Sequence, residues 1–422
     1  MRSTQTLPPR PAPAVTPIPA RHPLRGRHHV IAPALRIGDL PAAAVFAAAR
    51  RRGPIARDTI ATVTGLSIAT VNRQVTALLE AGLLRERADL AVAGAIGRPR
   101  VPVEVNHEPF LTLGVHIGAR TTSIVATDLL GRVLDAVETP TPGGPQSAAL
   151  TVLAASARRY LSRWHKRRAL WVGVAVGGIV DGRAGHVDHQ RLGWTQAPVG
   201  AVLAESLGLP VSVSAHVDAM AGAELLLGVR PPAASSLYVY ARETVGYALV
   251  IDGRVHTPGT GPGTIAHLPA HSELLGGTGR LESTVSDEAV LAAARGHGVL
   301  PAAAPAVGMA PLISAARQGN ETARELLTER GRVLGESVAL LRDLLNPDDL
   351  VVGGQAFTEY AEGLAAAEAA FTARSTLPPR ELRVTAFGNR VQEAGAGVVS
   401  LGGLYADPLG ALRRAQRSLA VS

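Results

Sequence analysis

The chain is 422 residues long, carries a net charge of +8 and contains no cysteine. Such a length exceeds one compact core and predicts two or three domains, while the lack of thiols excludes a disulfide framework and thiolate metal sites. No apolar run reaches the ~20 residues of a membrane helix and the N-terminus lacks a secretory apolar core, so a cytoplasmic location without a membrane partner is expected.

Charge is concentrated at one end. Residues 1–106 hold fifteen arginines against six acids, a net of +9, so the other 316 residues are near neutral. An excess of this kind marks the part of a chain that meets phosphates. Residues 1–36 are rich in Pro and Arg, show no helix or strand period, and read as a disordered basic leader.

Residues 37–106 read as a winged helix-turn-helix. The first helix is placed between Ile37 and Arg52, with Leu40, Val45, Phe46 and Ala49 inward, and Pro54 is placed at the start of the second. A glycine-containing turn, Thr64-Gly65-Leu66-Ser67, leads to a third helix capped by Ser67 and ended at Gly82. At 100° per residue Ile68, Val71, Val75, Leu78 and Leu79 form its inner stripe, whereas Ala69, Thr70, Arg73 and Thr76 point outward beside Asn72 and Gln74. One cation, small hydroxyls and two amides are the groups that read base edges in a major groove. Ser67, Ala69, Thr70, Asn72, Arg73 and Gln74 are therefore predicted to contact double-stranded DNA. The plainer alternative is a surface helix of a bundle; the turn, the cap and the basic surroundings favour a recognition helix. After Gly82 two short apolar runs flank a Gly/Ala-rich tip, as in a wing. Its Gly97-Arg98-Pro99-Arg100 run holds Arg98 and Arg100 apart in a form suited to a narrow minor groove, with an ordinary basic linker as the competing reading.

From Pro109 onward LTLGVHIGARTTSIVATDLLGRVLDAVE alternates through two strands and a turn into a third. A helix (Gln146 to Lys166), a buried strand (WVGVAVGG), a helix (Val199 to Leu207) and a strand (PVSVSA) follow. The alternation restarts at LYVYARETVGYALVIDGRVH, which predicts two related α/β lobes. Helices dominate from Asp287 to Leu345 before NPDDLVVGG returns to a strand.

In order and spacing, LSIATVNRQV with the GRPR tip, LGVHIGARTTSIVATDLLGRVL, VGVAVGGIVDGRAG, LGLPVSVSAHVDAMAGAE, LVIDGRVHTPGTGPGTIAHLP, GGTGRLESTVS and NPDDLVVGG resemble the ROK family (repressor, open reading frame, kinase). The resemblance runs from about Leu40 to the C-terminus. It implies an α/β fold in which an N-terminal winged helix-turn-helix precedes a two-lobed actin/hexokinase-like (ROK) domain, residues 107–422, for sensing and oligomerisation.

By that resemblance the aspartate of the family's first phosphate hairpin falls on His116, and its Asn-Asp pair, which holds the catalytic base, falls on Ala215 and His216. The second, glycine-rich phosphate loop reads ARETVG, crowded by Arg242, Glu243 and Thr244. Phosphoryl transfer lacks most of its parts, so no catalytic residue and no cofactor are expected. The family's zinc cysteines fall on Glu273, Leu275 and Arg280, leaving His267 alone; no metal is expected, and an Arg280 to Glu273 ion pair is expected to staple the loop. His267 and Glu282 match residues that hydrogen-bond a sugar's hydroxyls and, with His216, form the candidate ligand set. Three of five polar partners are lost, to Ala215, His216 and Thr264. At about 1–3 kcal/mol per unpaired buried group this implies a changed ligand or weak sugar affinity. A purely structural role for His267 and Glu282 is the alternative. Asp218, His186, His189 and Trp194 fall in segments that border the cleft.

The expected protein is a sequence-specific DNA-binding transcriptional regulator, a repressor acting as a homodimer or homotetramer on an operator and answering to a carbohydrate or sugar-derived effector. An active sugar kinase with an accessory DNA-binding domain is one rival. A regulator that answers to a protein partner is another.

Overall fold

The computed structural model describes residues 29–90, 101–258, 261–302 and 308–421. Arg98 and Arg100 lie outside them, as does most of the expected leader. Among the described residues no helix is long and apolar enough to cross a membrane.

The N-terminal unit contains α1 (Pro41–Arg52), α2 (Arg57–Thr64), α3 (Ile68–Glu80) and a hairpin of β1 (Leu84–Glu86) with β2 (Val103–Val105). Val45, Phe46, Ala49, Val71, Val75 and Leu78, expected inward, are buried together with Ile60, Leu83 and Val103, whereas Leu40, also expected inward, is exposed as the residue before the first turn of α1. Gly65 turns the chain with φ +69°, and Ser67 Oγ accepts the Thr70 amide to cap α3. Two further expectations need correction. Pro54 does not open α2: Ile55 exchanges both backbone hydrogen bonds with Val103, so residues 54–56 lie as a third rung beside the hairpin and the helix starts at Arg57. Ile68 is half exposed, because the first residue of α3 has no preceding turn to cover it; the buried stripe starts at Val71.

The first lobe is a five-stranded sheet in the order β10 (Val211–Ala215), β6 (Arg168–Val176), β3 (Phe110–Ile117), β4 (Thr121–Thr127), β5 (Val133–Pro140). Strands β3, β6 and β10 pair in parallel, β4 is antiparallel to both of its neighbours β3 and β5, and β5 therefore runs in the direction of β3. Helices α4 (Gln146–Ser162) and α5 (Val199–Leu207) cover one face, beside a small sheet of β7 (Ile179–Asp181), β8 (His186–His189) and β9 (Trp194–Ala197). The other face carries α6 (His216–Leu227) and α13 (Val391–Ala406). Helix α13 lies close on the sheet because Gly114 and Gly173 have no side chain: a Cβ on Gly173 would stand 2.1 Å from the Ser400 amide nitrogen.

The second lobe is a six-stranded sheet. Its main path is β13 (Arg254–His256), β12 (Val245–Ile251), β11 (Ser235–Ala241), β15 (Asp349–Gly353), β16 (Arg383–Val384), with β14 (Gly263–Thr264) on β12. Helices α7 (Leu281–Val285), α8 (Asp287–Gly296), α9 (Ala310–Arg317), α10 (Glu321–Leu345), α11 (Gln355–Thr358) and α12 (Ala361–Arg374) surround it, and α14 (Pro408–Val421) ends the chain. Arg330 of α10 is buried, and each of its three nitrogens has a partner: it donates to the carbonyls of Val285 and Arg242, to Gln355 Oε1 and, at 2.7 Å, to Asp287 Oδ1.

Residues 30–37, expected to belong mainly to the disordered leader, form an ordered strap instead. Ile31 N–H donates to Val211 O on the outer edge of the first sheet, and Ser212 Oγ donates to Ile31 O. Further along, Val255 N–H donates to Leu35 O and Ile37 N–H to Gly253 O on the outer edge of the second sheet. The body is carved to receive this segment. A Cβ on Gly222 of α6 would come 2.9 Å from Leu35, and one on Gly402 of α13 2.6 Å from Ala34 O. Composition alone hid the strap, since its anchors are backbone groups and partner glycines distant in sequence. The strap runs directly into α1, where Arg50 donates to Leu226 O at the end of α6 and lies 4.2 Å over the ring of Tyr405 in α13.

Candidate DNA-reading face and ligand cleft

On α3 the residues predicted to meet DNA form one surface. Ser67, Ala69, Asn72, Arg73 and Thr76 are exposed, while Thr70 and Gln74 are half-buried beside them. Ser67 is occupied by its cap and also donates to Thr70 Oγ1, so both hydroxyls hold the helix start. Arg57 of α2 reaches toward Asn72 Oδ1 (3.5 Å) and Glu86 (3.4 Å), bringing a second cation to the same face. The arginines at the hairpin, Arg85 in β1 and Arg87 just after it, are internally neutralised, Arg85 by Glu104 and Glu108, Arg87 by Asp89 and Glu104. Arg73 makes no ion pair among the described residues, which leaves its guanidinium free for an external acceptor.

A cavity of about 440 Å³ opens at the carboxyl ends of β3, β6 and β11, lined by both lobes. This is where ligands collect in open α/β sheets. His116 from β3, His216 from the first turn of α6 and His189 from β8 face it, with Tyr240 and Arg242 from the end of β11 and Gln392 from α13. The His116 and His216 rings stack at 6.3 Å with 14° between their planes, and His216 lies 5.3 Å from the Tyr240 ring. Burial, then His216 and Arg242, push the His116 imidazole down to about 3; burial, then His189, push His216 down to about 4. Both rings are neutral at physiological pH.

The ARETVG loop is filled by its own side chains. Arg242 N–H donates to Thr244 O in a tight turn, and Arg242 Nη1 donates to Gln392 Oε1 at 2.9 Å. Glu243 reaches across to Arg120 (3.6 Å), while its carbonyl accepts from Arg191. Asp287 N–H and Arg330 both donate to Arg242 O, so the loop is fixed from beneath.

The candidate ligand set is only partly brought together. His216 and Glu282 line the cavity, and Glu282 Oε2 accepts the Val245 amide at 3.3 Å. His267 does not line it. Residues 265–268 form a turn closed by Leu268 N–H on Ile265 O and held by Leu281 N–H on Leu268 O and Glu282 N–H on Ala266 O; Thr264 and Ala266 line the cavity, while His267 in the turn is exposed to solvent. The expected Arg280 to Glu273 ion pair is also absent among the described residues: Arg280 Nη1 approaches His267 Nδ1 at 3.4 Å, and the backbone pairing staples the loop. Of the other cleft candidates only His189 lines the cavity; Trp194 is a core residue and Asp218 is buried on α6. Sequence reasoning passed over Tyr240, Gln392 and Arg330. The arginines on the apolar stripe of α10, Arg330 and Arg342, were the one signal available, because a buried guanidinium demands partners.

Residues 112–393 match the family model described as ROK family. The chain is 70% identical over 404 residues to transcriptional regulators of Mycobacterium tuberculosis and Mycobacterium bovis, spanning 93% of this chain and 92% of each relative. It is 25% identical over 336 residues to the DNA-binding transcriptional dual regulator NagC of Escherichia coli (strain K12), covering 76% of this chain and 81% of that protein. In three dimensions it resembles a ROK family transcriptional regulator described as a homolog of the Escherichia coli MLC protein, with a TM-score of 0.73, 23% identity, and coverage of 88% of this chain and 98% of that one. A ROK family glucokinase from Streptomyces griseus, solved with glucose and AMPPNP, shares the fold of the lobes at a TM-score of 0.60 and 22% identity, covering 69% of this chain and 99% of its own. The chain therefore belongs to the ROK family and is a transcriptional regulator within it.

Proposed function

We propose that residues 37–106 read an operator through the exposed face of α3, and that residues 107–422 sense a carbohydrate-type effector in the cleft without phosphorylating it. Relatives named N-acetylglucosamine repressors support a sugar-derived ligand and repression as the output. A homodimer or homotetramer would place two reading heads on a palindromic operator.

The observation that carries the non-catalytic reading is the pair of buried, neutral imidazoles at His116 and His216. A phosphoryl transferase needs a group to hold magnesium and a base to take the acceptor's proton. An imidazole held down to about 4 is a weak base, and among the described residues no carboxylate forms an ion pair with it. The side chains of Arg242 and Glu243 further occupy the loop that would cradle phosphates.

The test is to mix the purified protein with ATP, magnesium and a panel of hexoses and N-acetylhexosamines. ADP release should stay at background. An effector held about 100-fold above its dissociation constant should stabilise the protein by roughly 2.7 kcal/mol, raise its melting temperature and release it from its operator. Turnover that disappears in His216→Ala would overturn the regulator-only reading in favour of a kinase with a DNA-binding domain.

A further inference from the structure

We propose that the basic turn between α4 and β6 is a second DNA-contacting surface, one that grips the phosphate backbone of the duplex flanking the operator and reads no sequence. The proposal rests on the reading of α3 as the operator reader and adds to it a surface on the body.

Residues 139–180 contain no aspartate or glutamate, and their six cations, Arg158, Arg159, Arg163, Lys166, Arg167 and Arg168, all fall between 158 and 168. Arg158, Arg159, Arg163 and Lys166 are exposed, and Arg167 and Arg168 are half-buried. Among the described residues one ion pair relieves them, Arg163 with Asp135 at 3.3 Å. Other acids nearby are in use: Glu108 holds Arg85 and Asp128 holds His107. A cation in the last turn of α4 suits the helix dipole, which accounts for Arg159 but not for the charges beyond Ser162. Surfaces that only face water intersperse both signs. Like charges left side by side repel one another, and an external polyanion relieves that repulsion.

The turn stands at the foot of the reading head. Asn106, the residue after β2, ties the hairpin to the end of α3: its N–H donates to Leu83 O and its Nδ2 to Gly82 O at 2.9 Å. The residues that follow are fastened to the basic turn. Arg167 Nη1 donates to His107 O at 3.1 Å and to Phe110 O at 3.3 Å, and Arg168 N–H donates to Pro109 O at 2.7 Å. The cluster therefore begins one residue from the tie that closes the reading helix. Helix α3 is about 20 Å long, whereas one turn of duplex is about 34–36 Å, so DNA seated on α3 runs past the head and carries its flanking phosphates toward the body. Arg85 and Arg87 of the hairpin are already neutralised, and Arg163 has Asp135; Arg158, Arg159 and Lys166 are left without a carboxylate partner among the described residues. Long, exposed cations of this kind position a protein on the backbone.

The experiment uses the full chain, an operator core that the parent selects from random duplex, and the same core extended by about 10 base pairs of random sequence on each side. The triple variant Arg158→Gln, Arg159→Gln, Lys166→Gln changes exposed side chains and spares Arg167, which braces the linker; its melting temperature checks the fold. On the extended duplex at low salt it should bind about tenfold or more weakly than the parent, and the slope of log affinity against log salt should fall by roughly 2 to 3. On the bare core it should bind like the parent. Its preference for operator over random sequence should also be unchanged, because phosphates carry no sequence information. Parent-like affinity and salt slope on the extended duplex overturn the proposal and leave an acidic protein surface as the partner this face fits. A loss of equal size on the bare core overturns the flanking assignment. A parent that selects no operator from random duplex overturns the reading of α3, and the proposal with it.

Discussion

At the scale of single residues, the molecule depends on a few buried polar groups whose partners are specific. Arg330 and Asp287 form a pair that is almost wholly buried, and removing one partner of such a pair strands the other. Arg330→Met should cost about 3–5 kcal/mol in denaturant unfolding, and the double change with Asp287→Leu should recover much of it; equal losses in single and double variants would show that the pair is not the determinant. The histidines set a pH dependence. His116 and His216 are neutral in the fold but take protons from about pH 6.5 downward once unfolded, so stability is lost as pH falls from about 6.5 toward 4. Asp218 acts in the opposite direction. Burial, partly offset by the Thr257 hydroxyl, lifts its carboxyl to about 7, so stability is lost as pH rises from 3.8 to that value. Asp218→Asn should therefore gain on the order of 2–4 kcal/mol at pH 8 and little at pH 4, and equal melting shifts at both would refute the assignment. On the reading face, Arg73→Ala should lower preference for a selected operator over random duplex by roughly 1–3 kcal/mol, with parent-like discrimination counting against α3 as the reader.

At the scale of elements, local pattern and observed structure agree wherever periodicity and caps coincide. The Val71, Val75, Leu78 stripe and the Ser67 cap were both legible, and α5 begins and ends where the sequence placed it, at Val199 and Leu207. The misses have a common cause. Pro54 takes its position from backbone pairing, His267 from the turn over residues 265–268, and Ile68 from the lack of a preceding helical turn, none of which residue types announce. The same holds for the crossing of α10 with α12, where a Cβ on Gly331 would stand 2.0 Å from Gly363 O and one on Gly335 2.1 Å from Ala367 O. Both lie on helical backbone that alanine ordinarily favours, so the helix gain and the packing clash oppose each other. The clash is with backbone, which cannot rotate away. Gly331→Ala should destabilise by about 1–3 kcal/mol in denaturant melts, and a stabilised variant would mean that the two helices part freely.

At the scale of the whole molecule, the pairing of residues 30–37 with Val211 on one sheet and Gly253 and Val255 on the other makes this short stretch a bridle. Its two reins end on different lobes, and its bit is α1. Any rotation of one lobe against the other must either unzip a rein or pull the reading head round, so cleft angle and head posture become one coordinate. Linkage then requires the reverse effect: DNA that fixes the head also fixes the cleft. The cysteine-free chain suits a direct measurement, with dyes on Val152→Cys and Leu344→Cys, which are 49% and 70% exposed in opposite lobes. Operator binding should change energy transfer between them in the parent. In Leu35→Asp, whose rein has lost its buried anchor, the duplex should still bind while the distance stays put; an undiminished change there would mean that the head and the cleft communicate without the bridle.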